Sequence, residues 1–133
     1  MDVAEPQTNS LSKAEKRKLD SDFLREPLLT ELANDEVRFT EDAVQLLKFH
    51  GSYQQNHREL RKTDKLRCWQ MMLRLRSPGG RIPAQLFLAL DELSNRIGDG
   101  TLRATTRQAF QMHGIPKADL NEVIGTIVRN LGS

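Results

Sequence analysis

Alternation with a period of two is clearest between Gly100 and Gly114, where it predicts two short strands. Leu102 and Ala104, then Phe110 and Met112, fall on one face; Arg103 and Thr105, then Gln111 and His113, fall on the other. The same pattern predicts a strand over 69–76. Trp69, Met71, Leu73 and Leu75 face one way, and Gln70, Met72, Arg74 and Arg76 face the other, before Ser77-Pro78-Gly79-Gly80 ends it. Helical spacing fills the rest. Pro83 suits the first turn of a helix whose Leu86, Leu90, Leu93 and Ile97 form one stripe, closed by Gly98. Leu120, Val123, Ile124, Ile127, Val128 and Leu131 then recur at three- and four-residue steps and predict a last amphipathic helix.

The order from Trp69 onward is therefore β-α-β-β-α. A strand, a crossover helix and a parallel strand pack with right-handed connection, and the hairpin partner lies antiparallel beside them. This predicts an α+β fold: a three-stranded sheet with two helices on one face and the other face open. It is most of a ferredoxin-like βαββαβ unit with its last strand missing, a half-domain incomplete as a stand-alone fold. The upstream pattern is weaker. Residues 1–11 are polar and read as a disordered tail. Ser12 and Glu15 have the spacing of a capping box for a short charged helix. Phe23, Leu24, Leu28, Leu29 and Leu32 surround Pro27 and read as an arm laid across another surface, and Thr40 opens a helix that runs towards Gly51. The expected organisation is a tail, 1–11; an arm with short helices and a basic loop, 12–66; and the half-domain, 67–133.

Composition narrows the class. At 133 residues, 38% hydrophobic and 29% charged, the chain suits one soluble domain with a modest core. No apolar run approaches the roughly 20 residues of a membrane-spanning helix. The opening Met-Asp-Val-Ala-Glu-Pro matches neither a secretory signal nor an Arg-rich transit peptide, so a cytoplasmic protein of bacterial or cyanobacterial type is expected. A net charge of +2 makes no case for nucleic acid, but the cations are uneven. Arg58, Arg61, Lys62, Lys65, Arg67, Arg74 and Arg76 stand against only Glu59 and Asp64 between His57 and Arg76, either a solvated face or a rim that draws in acidic partners or small anions. The single cysteine, Cys68, excludes a disulfide framework and any four-cysteine metal or iron–sulfur site within the chain.

The polar face of the predicted sheet carries the candidate chemistry. Arg74, Arg76, Arg103, Thr105, Gln111 and His113 would project from it together: cations and hydrogen-bond donors without a carboxylate. The connection Thr106-Arg107-Gln108 also lacks the Gly, Asn or Asp of an ordinary tight hairpin. Such a face suits a large anion. An RNA-reading sheet would show stacking aromatics, and here Trp69 and Phe110 fall on the apolar side, which argues against nucleic acid.

The residues of this hairpin, with Ser21-Asp-Phe-Leu-Arg-Glu-Pro-Leu28, Leu47-Lys-Phe-His-Gly-Ser-Tyr-Gln-Gln55 and Met72-Leu-Arg-Leu-Arg-Ser-Pro-Gly-Gly80, resemble in order the first segment of the siroheme-containing sulfite and nitrite reductase family. They are most similar to its ferredoxin-dependent, sulfite-reducing branch. The resemblance implies the amino-terminal segment of an assimilatory enzyme that reduces sulfite to sulfide with six electrons from ferredoxin, using siroheme and a [4Fe–4S] cluster. It assigns siroheme contacts to Arg103, Thr105, Thr106, Arg107, Gln111 and His113, and the sulfite-holding role to Arg74. Tyr53, Gln55 and Arg76 are possible lining of the cofactor cavity. No metal ligand is implied within this chain, whose cluster cysteines would lie elsewhere, so the segment alone would be inactive. Nitrite reductase of the same family and a non-catalytic anion-binding α+β module are the alternative readings. After His113-Gly114 the chain departs from the family pattern, with Lys117 where paired lysines are common.

Overall fold

A computed structural model describes residues 11–65 and 67–133. The tail expected over 1–11 lies outside the described residues except for Leu11. Helix α1 (Lys13–Leu19) starts in the capping box: Glu15 N donates to Ser12 Oγ at 3.3 Å, and Ser12 N donates to Glu15 Oε2 at 2.7 Å. Short helix α2 (Leu28–Leu32) follows, then α3 (Glu41–Phe49), which stops just before Gly51 at φ +76°. The arm is part of the body it was expected only to lie across. Leu28 is buried and joins the same core as Ala43 and Leu47 of α3, because the leucines around Pro27 find their apolar partners within this chain.

The sheet has four strands, not three. β1 (Ser52–Asn56), β2 (Trp69–Arg74), β3 (Leu102–Ala104) and β4 (Phe110–Ile115) lie in the order β1-β2-β4-β3, with every neighbouring pair antiparallel. The two-way crossover is as expected: β3 runs parallel to β2, with β4 inserted between them. The extra strand comes from upstream. Ser52-Tyr-Gln-Gln-Asn56 has no aliphatic alternation to mark it, and its extended shape comes from pairing residue for residue with β2, Ser52 opposite Leu73 through Asn56 opposite Trp69. It fills the edge beside β2 where the ferredoxin-like plan lacks its last strand. The β1–β2 hairpin, whose connection carries α4 (Leu60–Thr63), therefore spans the junction at 66–67.

One face of the sheet holds the core. Met71, Leu73, Leu75, Met112 and Ile115 meet α5 (Ala84–Arg96) through Leu86, Leu90 and Leu93, and α6 (Leu120–Arg129) through Leu120, Val123 and Ile127. Ala43 and Leu47 make α3 a third covering helix beyond the two expected. Fully burying each large aliphatic side chain contributes roughly 1.5–3 kcal/mol. The α6 stripe is wider than this contact uses, leaving Val128 60% exposed. Alternation also breaks once. Leu73 pairs with Met112 but Met71 pairs with Ile115, so a bulge at Gly114 (φ +76°) restores Ile115 to the core side three residues after Met112. Among the described residues, no helix is long and apolar enough to cross a membrane.

Candidate functional site

Strand register builds the site. Arg74 on β2 stands opposite Gln111 on β4, and Gln111 stands opposite Arg103 on β3. Directly opposed residues share a face, and strands lie about 4.8 Å apart. The three side chains thus form one row across the face away from the core. His113 lies on that face two residues beyond Gln111. The hairpin loop closes without glycine: Gln108 takes φ +59°, its N donates to Thr105 O at 3.0 Å, and Arg107 N donates to Thr105 Oγ1 at 3.3 Å. Thr106 and Arg107 are exposed at the tip.

Beside the row, a cavity of about 700 Å³ is lined by Lys48, His50, Tyr53, Arg74, Arg76 and Arg107, with no carboxylate side chain in its wall. The Arg74 guanidinium lies 5.3 Å from the Tyr53 ring centre, and its Nε is buried without a hydrogen-bond partner. His113 Nε2 is likewise buried and unpartnered. Leaving such groups unpaired costs about 1–3 kcal/mol each, so a fold that retains them has polar atoms ready for a ligand. Burial holds the His113 pKa below its ordinary value, helped by the Arg103 charge and opposed by Asp99. The ion pairs among the described residues involve Arg17, Arg67 and Arg96; Arg74, Arg76, Arg103 and Arg107 are in none of them. Among the described residues, these four arginines of the face and cavity are therefore unpaired by any carboxylate.

Most of the expected residues converge here, in two groups. Arg74, Arg103, Gln111 and His113 share the open face, while Tyr53, Arg76 and Arg107 join Arg74 at the cavity. Thr105 is half-buried, with its hydroxyl engaged in the turn. Gln55 pairs with Gln70 further along β1 and is outside the cavity wall. Met72, on the open face by alternation, is buried beside Tyr53, its partner across β1 and β2. Lys48 and His50 were not anticipated; they reach the cavity from the end of α3, and only the Gly51 stop signal in the sequence hints that the helix ends there. Lys117 points elsewhere. It is buried, and its Nζ donates to Asn34 Oδ1 at 2.6 Å and Asn34 O at 3.2 Å, which ties the arm to the end of β4. No group of three or more metal-binding side chains occurs among the described residues.

Comparison with known proteins points to one family. Residues 70–129 match the nitrite/sulfite reductase ferredoxin-like half domain. Over 98% of its length the chain is 57% identical to the sulfite reductase [ferredoxin] of Synechococcus elongatus, of which it covers 21%. It is 40% identical to the sulfite reductase [NADPH] hemoprotein beta-component of Staphylococcus epidermidis, over 94% of the chain and 23% of that protein, and 43% identical to the corresponding protein of Bacillus subtilis, over 89% and 22%. The chain thus spans about a fifth of the length of the curated relatives it matches.

Proposed function

We propose that this chain, which belongs to the nitrite and sulfite reductase family, is the amino-terminal, siroheme-cradling segment of a cytoplasmic, ferredoxin-dependent assimilatory sulfite reductase. The observation that carries the reading is the carboxylate-free row with two buried, unpartnered nitrogens, Arg74 Nε and His113 Nε2. Siroheme is a planar macrocycle rimmed with carboxylates, and these residues suit it. Guanidinium groups stay charged and grip carboxylates with paired hydrogen bonds, so Arg103 and Arg107 hold the rim, with Thr105, Thr106 and Gln111 as neutral donors. Burial and the Arg103 charge favour the neutral form of His113, and a carboxylate placed beside it would favour the imidazolium. When bound, siroheme would pass on to sulfite the six electrons that ferredoxin provides. The chain's own part at that point is Arg74, whose half-buried charge would hold the sulfite oxyanion where partial exclusion of water strengthens the contact. Arg76 lies two residues past the end of β2, lines the same cavity and adds to the same field.

The cluster is supplied from outside this segment, since one cysteine cannot ligate it. Ferredoxin, an acidic electron donor in this reading, is drawn by the cationic side chains. The test is a titration of the 133-residue chain with siroheme, followed by quenching of the single tryptophan, Trp69. Each of Arg103→Gln and Arg107→Gln is expected to weaken binding about tenfold or more, the value of a charged hydrogen bond near 1.5–3 kcal/mol. Equal affinity of both variants and the parent chain, or no binding at all, overturns the reading.

A further inference from the structure

The guanidinium of Arg74 has nothing conventional to hold it in place. Its backbone N donates to Gly51 O at 2.9 Å, which fixes the main chain at the end of β2. Its side chain enters no ion pair among the described residues, and Nε has no hydrogen-bond partner. Three further cations, Lys48, Arg76 and Arg107, line the same cavity, and their repulsion pushes a free guanidinium towards bulk water. Yet Nε is buried. The guanidinium lies over the ring of Tyr53, with 5.3 Å between Arg74 Cζ and the ring centre, inside the range where the negative face of an aromatic ring attracts a cation. Register explains the meeting. Tyr53 pairs with Met72, so Arg74 is its diagonal neighbour on the same face of the sheet, within reach of an aromatic side chain.

We propose that Tyr53 is a positioning residue: its ring holds one face of the Arg74 guanidinium and leaves the N–H edge turned towards the cavity, so that the anion meets a preorganised donor. The phenol oxygen is not needed for this; the π face is. The inference rests on the reading that Arg74 receives the anion, and it adds a second residue on which the affinity of that site depends.

The test uses the 133-residue chain, with sulfite as probe, by calorimetric titration and by the Arg74 Nε–H resonance in nitrogen-15 spectra. Tyr53→Leu is expected to weaken sulfite binding about three- to thirty-fold, the span of the cation–π contact from exposed to desolvated sites. It should also move the Nε–H resonance as the ring current is lost. Tyr53→Phe is expected to restore both affinity and resonance position, which loss of packing alone would not predict of the ring current. If the leucine variant does not fold, Tyr53→Trp takes its place, and tighter sulfite binding is expected from the stronger π face. Unchanged affinity in Tyr53→Leu, or in Tyr53→Trp where that is used, while Arg74→Gln still abolishes binding, overturns the role of Tyr53 and leaves the Arg74 reading intact. If sulfite binds equally to the parent and Arg74→Gln chains, or to neither, the Arg74 reading falls and this inference with it.

Discussion

Gly114 decides whether Ile115 can return to the core side after His113 has turned to the face of Arg74 and Arg103, and replacing it separates two physical costs. The residue sits at the β4 bulge with φ +76°, and a Cβ there would lie 2.8 Å from Asp99 Cβ and 2.9 Å from Asp99 N. Left-handed backbone costs an alanine about 1–2 kcal/mol. Against this, Gly→Ala narrows the unfolded ensemble and returns about 0.4–1 kcal/mol. The close contact adds a second cost, because Asp99 N donates to His113 O at 3.0 Å, and moving Asp99 away weakens a hydrogen bond with a net value of about 1 kcal/mol. Gly114→Ala should therefore cost about 1–2.6 kcal/mol in all once the backbone has shifted. Gly79 supplies the control: its φ is +64°, but no atom lies within 4 Å of an added Cβ, so Gly79→Ala carries the backbone term alone and should cost less than about 1.5 kcal/mol. Urea unfolding of the two variants beside the parent, read from midpoints at constant slope, measures both. Equal losses in the two variants would refute the argument that close approach to Asp99, rather than φ alone, makes Gly114 necessary.

Three further outcomes are expected. Because burial and Arg103 hold the His113 pKa below its ordinary 6.5, the unfolded chain binds the more protons as pH falls through that value; stability is full above it and declines in acid, and urea midpoints from pH 7.5 to 5 should fall further for the parent than for His113→Gln. Identical pH profiles would contradict this. Lys117→Ala removes the buried ammonium held by Asn34 and should cost about 1–3 kcal/mol, with faster amide exchange concentrated in residues 34–40; an even loss of protection along the chain would show that the contact does not fasten the arm. Replacing Arg58, Arg61 and Lys62 with glutamine should leave stability nearly unchanged, since all three side chains are exposed, and should weaken low-salt binding of ferredoxin to the chain about tenfold. Binding that ignores both salt and this substitution would place the acidic partner elsewhere.

What could be read in advance depended on whether a residue's partner was written in its own neighbourhood. The Arg74, Gln111 and Arg103 row is visible because each lies at an odd step from aliphatic residues, Leu73, Met112 and Leu102, that must turn to the core; hydrophobic burial fixes the other face by subtraction. Strand β1 offers no such reference. Ser52-Tyr-Gln-Gln-Asn56 is polar on both faces, and what makes it a strand is β2, together with the Gln54 side chain, whose Oε1 accepts from Phe39 N at 2.7 Å and whose Nε2 donates to Phe39 O at 3.3 Å, fastening the edge to the arm. Counting by twos also fails past His113, because Gly114 spends one residue on the bulge and Ile115 returns to the core side that a strict count gives to Gly114. The cavity shows the same division. Arg76 and Arg107 follow from the strand and its loop, but Lys48 and His50 arrive from the far end of α3, and Tyr53 reaches Arg74 only through the β1–β2 register. An unmarked polar strand thus completes the sheet and also brings the aromatic ring to the arginine. The chemistry on β2 was legible as an isolated cation, and its environment only as tertiary structure.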